Sequence, residues 1–221
     1  TKQRRRKNGQ IREAWRRMVH NKKAVGAMIV LAILLFIVIF ADFISPYSKG
    51  TELDVINRLI APCKEYWFGT DAYGRDLFTR IIHGSRMSLL MGFGATFISA
   101  TIGTLIGTTS AYLGGRTDSI IMRLLDMWMA IPSLLVTLAI IAGVGVGIPQ
   151  MIGALAFGGI PGFARVLRAS ALGVVNQEFI ESARALGAKS SRIVVKYIIP
   201  NVMSQFLVQS TMNVSGTILL G

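Results

Sequence analysis

The run AVGAMIVLAILLFIVIFA, residues 24–41, decides the class of this protein because it contains no charged side chain. A helix needs about 20 apolar residues to cross the roughly 30 Å hydrocarbon core of a bilayer. A basic block precedes the run: residues 1–23 hold ten Lys and Arg against the single acid Glu13. Short cytoplasmic flanks are enriched in Lys and Arg. We therefore predict a membrane span at residues 24–41 and a cytoplasmic segment at residues 1–23.

The whole chain has the composition of a membrane protein. Of its 221 residues, 52% are hydrophobic and 16% are charged, and the mean hydropathy is +0.54. This composition excludes a disordered chain and an ordinary small soluble domain. The net charge of +13 is concentrated beside an apolar run, which favours membrane orientation over a nucleic-acid partner. A cleaved secretory signal is the less favoured alternative, because no small-residue cleavage site follows the run.

Further uncharged runs lie at residues 87–113, 127–164 and 197–221. The middle run is too long for one crossing and is broken by glycines and Pro149, so it divides into two spans at about 120–143 and 149–164, and four more spans are predicted in all. Alternating crossings then place residues 42–86 and 143–149 outside and residues 114–119 and 165–196 inside. The charges agree with this orientation. Residues 42–86 balance six basic against six acidic side chains, whereas residues 165–196 carry six basic and two acidic ones. The sequence therefore predicts an all-α, multi-pass helix bundle in a lipid bilayer, with five spans visible.

Small residues recur inside the predicted spans. Ser99, Gly103, Gly107 and Ala111 follow one another at intervals of four, a spacing that lets helix backbones approach closely. This pattern indicates packing within the subunit or, alternatively, a moving interface. Pro132 predicts a kink in the third span.

The charges near the membrane are few. Arg123 and Asp126 stand three residues apart, so we expect them to pair on one helical face. The single cysteine, Cys63, excludes an internal disulfide and a Cys-based zinc site. His20 and His83 lack a second ligand at metal spacing, so no metal site is expected.

Residues 178–186 predict a short amphipathic helix after the fourth span. Its apolar face consists of Phe179, Ile180, Ala183 and Leu186. Asn176 is the predicted N-cap, Gly187 the predicted stop, and a second helix is expected to begin near Ser190. Such a helix either lies among lipid headgroups or docks to a partner protein. Its low basic content favours the partner.

Three motifs follow one another along the chain. The first is FGTDAYGRDL at residues 68–77. The second is Tyr112-Leu113-Gly114-Gly115, followed by Asp118 and Ile131-Pro132. The third is Glu181-Ser182-Ala183, with Gly187 six residues after the glutamate and Ile198-Ile199-Pro200 further on. The third resembles the EAA loop of binding-protein-dependent ABC importer permeases, with Ser182 in place of an alanine. Together the three resemble the dipeptide, oligopeptide and nickel subfamily.

The resemblance implies a type I ABC importer permease in the prokaryotic plasma (inner) membrane. Such a subunit is not an enzyme. It forms a translocation path for di- or oligopeptides, or a related solute, by alternating access. The implied partners are a homologous second permease in a heterodimer, two ATPase subunits and an extracytoplasmic solute-binding protein. ATP and Mg²⁺ are expected on the ATPases and no cofactor on this chain, which lacks Gly-x-x-x-x-Gly-Lys-Ser/Thr. The family has six spans, so we expect either a C-terminus missing from this sequence or a shorter architecture.

The resemblance also implies which residues carry the function. The coupling residues that would dock to an ATPase are Phe179, Ile180, Glu181, Ala183, Leu186 and Gly187. The residues that would shape the outer gate or the binding-protein side are Gly69, Asp71, Gly74, Arg75 and Asp76. For the outer residues, the alternative is a scaffold in which Asp71 and Asp76 pair with Arg75 or Arg80.

The alternative function is an ATPase-independent carrier or channel. It is disfavoured because no relay of Asp, Glu or His lies deep in the spans.

Overall fold

The computed structural model describes residues 16 and 18–220, with the backbone alone at residue 220. These residues form helices and no strand, and a single isolated bridge joins Thr70 to Asp76. The all-α prediction is confirmed. Most of the predicted basic segment 1–23 lies outside the described residues. The chain divides into two compact units, Thr1–Met87 and Ser88–Gly221.

In the first unit, helix α1 (Lys22–Ile39) matches the first predicted span. Asn21 caps it, since the side chain of Asn21 accepts hydrogen bonds from the backbone N–H groups of Lys23 and Ala24. No side chain of α1 is buried, as expected for an apolar helix surrounded by lipid. At its other end, the Arg86 guanidinium donates to the carbonyl oxygens of Val38 (2.6 Å) and Ile39 (3.0 Å), which satisfies the last turn.

The remaining helices follow in chain order. Helix α2 (Ala41–Ile44) and a 3-10 turn (Tyr47–Gly50) lead into a long loop, and α3 (Leu77–Leu113) begins in the first unit and ends in the second. The second unit continues with helices α4 (Gly115–Met129), α5 (Ser133–Val144), α6 (Ile148–Val175), α7 (Glu178–Ala185) and α8 (Ser190–Ile193), a π-helical turn (Val194–Ile198), and helices α9 (Ile199–Asn201) and α10 (Met203–Leu220).

Three of these helices, α1, α3 and α6, are long and apolar enough to cross a membrane, and α4 and α5 together supply a fourth candidate as a bent pair. The bend predicted at Pro132 is present, but it is sharper than a kink within one helix, because α4 and α5 are separate helices. The chain breaks around Pro132 and turns by 78°, because proline lacks an N–H and its ring clashes with the preceding turn. The predicted fifth span corresponds to α10, which is diluted by Gln205, Gln209 and Asn213, and it stays a prediction.

Two predicted boundaries are also corrected. Helix α3 begins at Leu77 rather than at 87, and α6 runs on to Val175 rather than ending at 164. The charged residues of these two segments predict loops. In the structure, the arginines of both segments pair with acidic side chains or carbonyl oxygens, so the helices continue through them. Residues 165–175, expected in a loop, are therefore helical.

The core of the second unit is built around α6. Phe163 and Leu167 are fully buried, together with Ile193 and Ile198 from the following segment. The small residues of α3 meet this helix, as predicted. A Cβ atom built at Gly103 would lie 2.5 Å from Cβ of Phe163, and one at Gly107 would collide with the backbone of Ala164. The glycines therefore allow α3 and α6 to touch backbone to backbone.

Ion pairs join α6 to α4. Asp126 pairs with Arg165, so the predicted pairing with Arg123 is wrong. The reason is the extension of α6, which brings Arg165 alongside α4. One helical turn further on, Arg168 forms two hydrogen bonds with the Asp118 carboxylate.

Candidate functional site

Helix α7 has the bounds that the sequence predicted, to within one residue. Its N-cap is Gln177 rather than Asn176, since Asn176 instead ends α6. At the other end, Gly187 has a φ of +75°, which favours glycine. The N–H of Gly187 donates to the Arg184 carbonyl (2.9 Å) and the N–H of Ala188 to the Ala183 carbonyl (3.0 Å). This is a complete Schellman motif, and the predicted stop at Gly187 is confirmed.

The apolar face of α7 is divided between the interior and the surface. Ile180 is fully buried and Ala183 is 8% exposed, and both belong to the hydrophobic core around α6. Phe179 is 38% exposed and Leu186 is 87% exposed. The prediction that all four residues are free for a partner is therefore wrong for Ile180 and Ala183. Because α6 continues to Val175, the core extends to α7 and covers these two side chains.

A second contact attaches α7 to α3. The Arg184 guanidinium lies 4.6 Å from the centroid of the Tyr112 ring, a cation–π geometry. Nearby on α3, the hydroxyl of Ser110 donates to the Asp118 carboxylate (2.6 Å), which Arg168 also holds. Helix α7 is thus attached to the end of α3 and to the core around α6. Sequence reasoning missed these partners because they are distant in the chain.

The structure also contains a cleft that the sequence did not predict. It has a volume of about 290 Å³ and lies between α5, α6 and α10. Its polar side chains are Ser133, Thr137, Gln209, Asn213 and Thr217. None of the described residues that line it carries a charge. Two features of the sequence point to this cleft. Pro132 ends one helix just before Ser133, and polar residues recur at every fourth position along α10.

The predicted outer residues form one compact turn in the first unit. The Asp71 carboxylate pairs with Arg75 (2.8 Å) and with Arg80 (2.5 Å), so the scaffold alternative describes Asp71 correctly. Burial of this carboxyl opposes ionisation, but hydrogen bonds from Arg75 and from the N–H of Tyr73 outweigh it and hold the pKa of Asp71 well below its ordinary value. Gly69 and Gly74 have positive φ angles, which the turn requires.

Asp76 has a different role from the one expected. Its carboxylate accepts hydrogen bonds from the Thr79 hydroxyl (2.5 Å) and from the N–H of Phe78 (3.1 Å), and it is 6% exposed. These are the contacts of an N-cap, so Asp76 starts α3. Within residues 18–219, no salt bridge to Asp76 is formed, and no group of three or more His, Cys, Asp or Glu side chains could hold a metal ion.

Residues 101–220 match the family model described as "binding-protein-dependent transport system inner membrane component", and residues 9–62 match "N-terminal TM domain of oligopeptide transport permease C". The dipeptide transport system permease protein DppC of Alkalihalophilus pseudofirmus is 37% identical over 208 residues, 94% of this chain and 68% of that protein. The glutathione transport system permease protein GsiD of Escherichia coli O6:K15:H31 is 39% identical over 207 residues, with the same coverage of each chain. This chain therefore belongs to the binding-protein-dependent ABC importer permeases, in the dipeptide, oligopeptide and nickel subfamily.

Proposed function

We propose that this permease forms part of the translocation path of an ATP-driven importer for short peptides or a related solute, and that it works by alternating access. Its relatives are named as dipeptide and glutathione permeases, and these solutes share a peptide main chain. Its partners in this proposal are a homologous second permease, two ATPase subunits that hold ATP and Mg²⁺, and an extracytoplasmic solute-binding protein.

The observation that carries the proposal is the division of α7 between anchor and surface. Ile180 and Ala183 hold the helix to its own chain, while Phe179 and Leu186 remain accessible. A helix that is anchored to its own chain and still exposes apolar side chains can receive a protein and pass its movement on. In this proposal Phe179 and Leu186 fill a groove on an ATPase, Glu181 is exposed to the same partner from another side of the helix, and Gly187 sets the turn. Ile180 and Ala183 contribute as anchors.

The proposed orientation of the chain rests on its charges. The basic residues at 1–23 and 165–196 favour a cytoplasmic location for both segments, on the ATPase side. The turn at Gly69 to Asp76 then faces the solute-binding protein. The ion pairs of Asp71 with Arg75 and Arg80 keep this turn rigid, which suits a surface that meets a partner.

The test compares two equally exposed aliphatic side chains. Leu186 on α7 and Val146 in the turn between α5 and α6 are 87% and 88% exposed. Full burial of a leucine side chain is worth roughly 1.5–3 kcal/mol, so truncation should weaken ATPase binding about tenfold or more. We expect Leu186→Ala, and also Phe179→Ala, to reduce co-purification of the ATPase subunits, whereas Val146→Ala does not.

Glu178→Gln serves as a second control, because it changes an exposed side chain of the same helix without shortening an apolar one. Retention of the ATPase at wild-type yield by both alanine variants would refute docking through α7. If those variants instead detach the loop from liposomes, the helix binds lipid headgroups and the coupling role is lost. If the intact protein captures no ATPase and transports without ATP, it is a carrier or channel.

A further inference from the structure

The cleft between α5, α6 and α10 has the size and the chemistry of a small ligand site. Its volume of about 290 Å³ lies at the lower end of ligand pockets, which span roughly 300–1,000 Å³. Its polar groups are hydroxyls and carboxamides in helices that otherwise face lipid or core. Polar side chains are rare in such helices and mark substrate pathways or helix contacts.

Asn213 is held in one orientation at the wall of this cleft. Its Oδ1 atom accepts a hydrogen bond from the Thr96 hydroxyl (2.9 Å) and a longer one from the Thr217 hydroxyl (3.4 Å). Thr96 is 4% exposed, so this arrangement is fixed from the interior. Within the described part of the chain, Nδ2 of Asn213 makes no hydrogen bond. The amide therefore has its acceptor occupied and its donor free.

Gly159 of α6 keeps the space beside this donor open. A Cβ atom built at Gly159 would lie 3.5 Å from Nδ2 of Asn213 and 3.0 Å from the side chain of Ser99. The Ser99 hydroxyl is already committed to the Ala95 carbonyl (2.9 Å). A larger residue at position 159 would thus press on Ser99 and would occupy the space in contact with Nδ2 of Asn213. The absence of a side chain leaves room for a ligand atom near Nδ2.

We propose that Asn213 donates a hydrogen bond from Nδ2 to a main-chain carbonyl oxygen of a short peptide bound in this cleft. Ser133, Thr137 and Gln209 supply further neutral hydrogen-bonding groups around it. Since none of the described lining residues is charged, the cleft offers hydrogen bonds to the peptide main chain and no ion pair to a charged side chain. This inference rests on the proposed function and assigns the solute contacts within it.

Asn213→Asp is the sharpest variant, because it keeps an acceptor for Thr96 and replaces the donor with a carboxylate that repels a carbonyl oxygen. We expect uptake of the dipeptide alanylalanine by the assembled transporter in liposomes to fall at least tenfold, the equivalent of about 1.4 kcal/mol. Thr96→Val, which releases the Asn213 side chain, should give a smaller loss. The matched control is Thr211→Val on the exposed part of α10, where the hydroxyl bonds only to the Leu207 carbonyl (2.9 Å).

Basal ATP hydrolysis and subunit yield verify that each variant assembles. If Asn213→Asp and Thr96→Val assemble and take up alanylalanine at the wild-type rate, the inference is wrong. Failure of the wild-type transporter to take up any peptide, with ATP and binding protein present, overturns the proposed function as well.

A labelling experiment tests the cleft without relying on transport. In a Cys63→Ser background, Gln209→Cys places the only thiol of this chain in the cleft. We expect a small thiol reagent to label it in the assembled transporter and alanylalanine to slow that labelling several-fold. A thiol that is never labelled in the complex means that a protein helix fills the cleft. A thiol that is labelled at the same rate with and without the dipeptide means that no peptide binds there. Either result overturns the inference.

Discussion

Replacing Gly187 tests whether the turn after α7 is needed for coupling. Gly187 has a φ of +75°, and its N–H closes one of the two bonds of the Schellman motif. A Cβ atom built there would meet nothing within 4 Å, so a side chain would cause no collision. The cost of a substitution is therefore that of the backbone alone, about 1–2 kcal/mol for a non-glycine residue in the left-handed region. A β-branched residue stands at the upper end of this range.

This strain is large for a short helix but small for a membrane protein with an extended core. We expect Gly187→Val to leave membrane insertion and subunit yield intact. The local cost should instead be relieved by unwinding the last turn of α7, which moves Leu186 out of position. Substrate-stimulated ATP hydrolysis by the assembled complex should then fall to less than about one fifth of the wild-type value, since 1–2 kcal/mol corresponds to roughly 5- to 30-fold in an equilibrium.

Two variants separate the backbone effect from any general effect of mutating a glycine. Asn tolerates the left-handed region, so Gly187→Asn should retain most of the stimulation. Gly173 lies inside α6 without a positive φ, and a Cβ atom built there would also meet nothing within 4 Å. Gly173→Ala should therefore be neutral or slightly stabilising. Wild-type stimulation of ATP hydrolysis in Gly187→Val would refute the reasoning, as would an equal loss in Gly173→Ala.

Three further outcomes are expected. An impermeant thiol reagent applied to intact cells should label Cys63, which is exposed, and should not label a cysteine introduced at Ser182; the reverse pattern would invert the topology. Gly107→Ala should create a collision with α6 that costs about 1–3 kcal/mol of stability, which a lower unfolding temperature in detergent will show. Gly153→Ala places its methyl group in open space and should leave the unfolding temperature unchanged. Because the pKa of Asp71 is lowered on folding, its ionised carboxylate stabilises the folded protein at neutral pH, and this stabilisation is lost as pH falls below about 4. The stability of Asp71→Asn should therefore fall less than that of the wild type over this range of pH.

The elements that the sequence predicted correctly depend on local signals. The uncharged run at residues 24–41 predicts α1, because apolar length alone determines a span. The bounds of α7 follow from a nearby pattern of apolar residues that ends at Gly187. The four-residue spacing from Ser99 to Ala111 predicts close helix contact, since a side chain at Gly107 would leave no room for a neighbouring backbone.

The elements that the sequence did not predict depend on residues far apart in the chain. Asp126 pairs with Arg165 rather than Arg123, because α6 is longer than its uncharged run predicts. A shorter α6 would leave Ile180 without a partner, whereas Ile180 is fully buried. The helix continues past its uncharged run because acidic side chains elsewhere in the chain pair with its arginines. A hydropathy pattern does not reveal these distant partners.

The extended helix α6 also connects the docking helix α7 to the polar cleft. Phe163 and Leu167 of α6 form the core that covers Ile180, the anchor of the docking helix. Gly158 and Gly159 of the same helix line the polar cleft. Because a helix rises 1.5 Å per residue, these two regions of α6 are about 6–14 Å apart along its axis. Packed interiors transmit displacement rather than absorb it. Under the proposed function, we expect a shift of α7 driven by an ATPase to reach the wall of the cleft through α6.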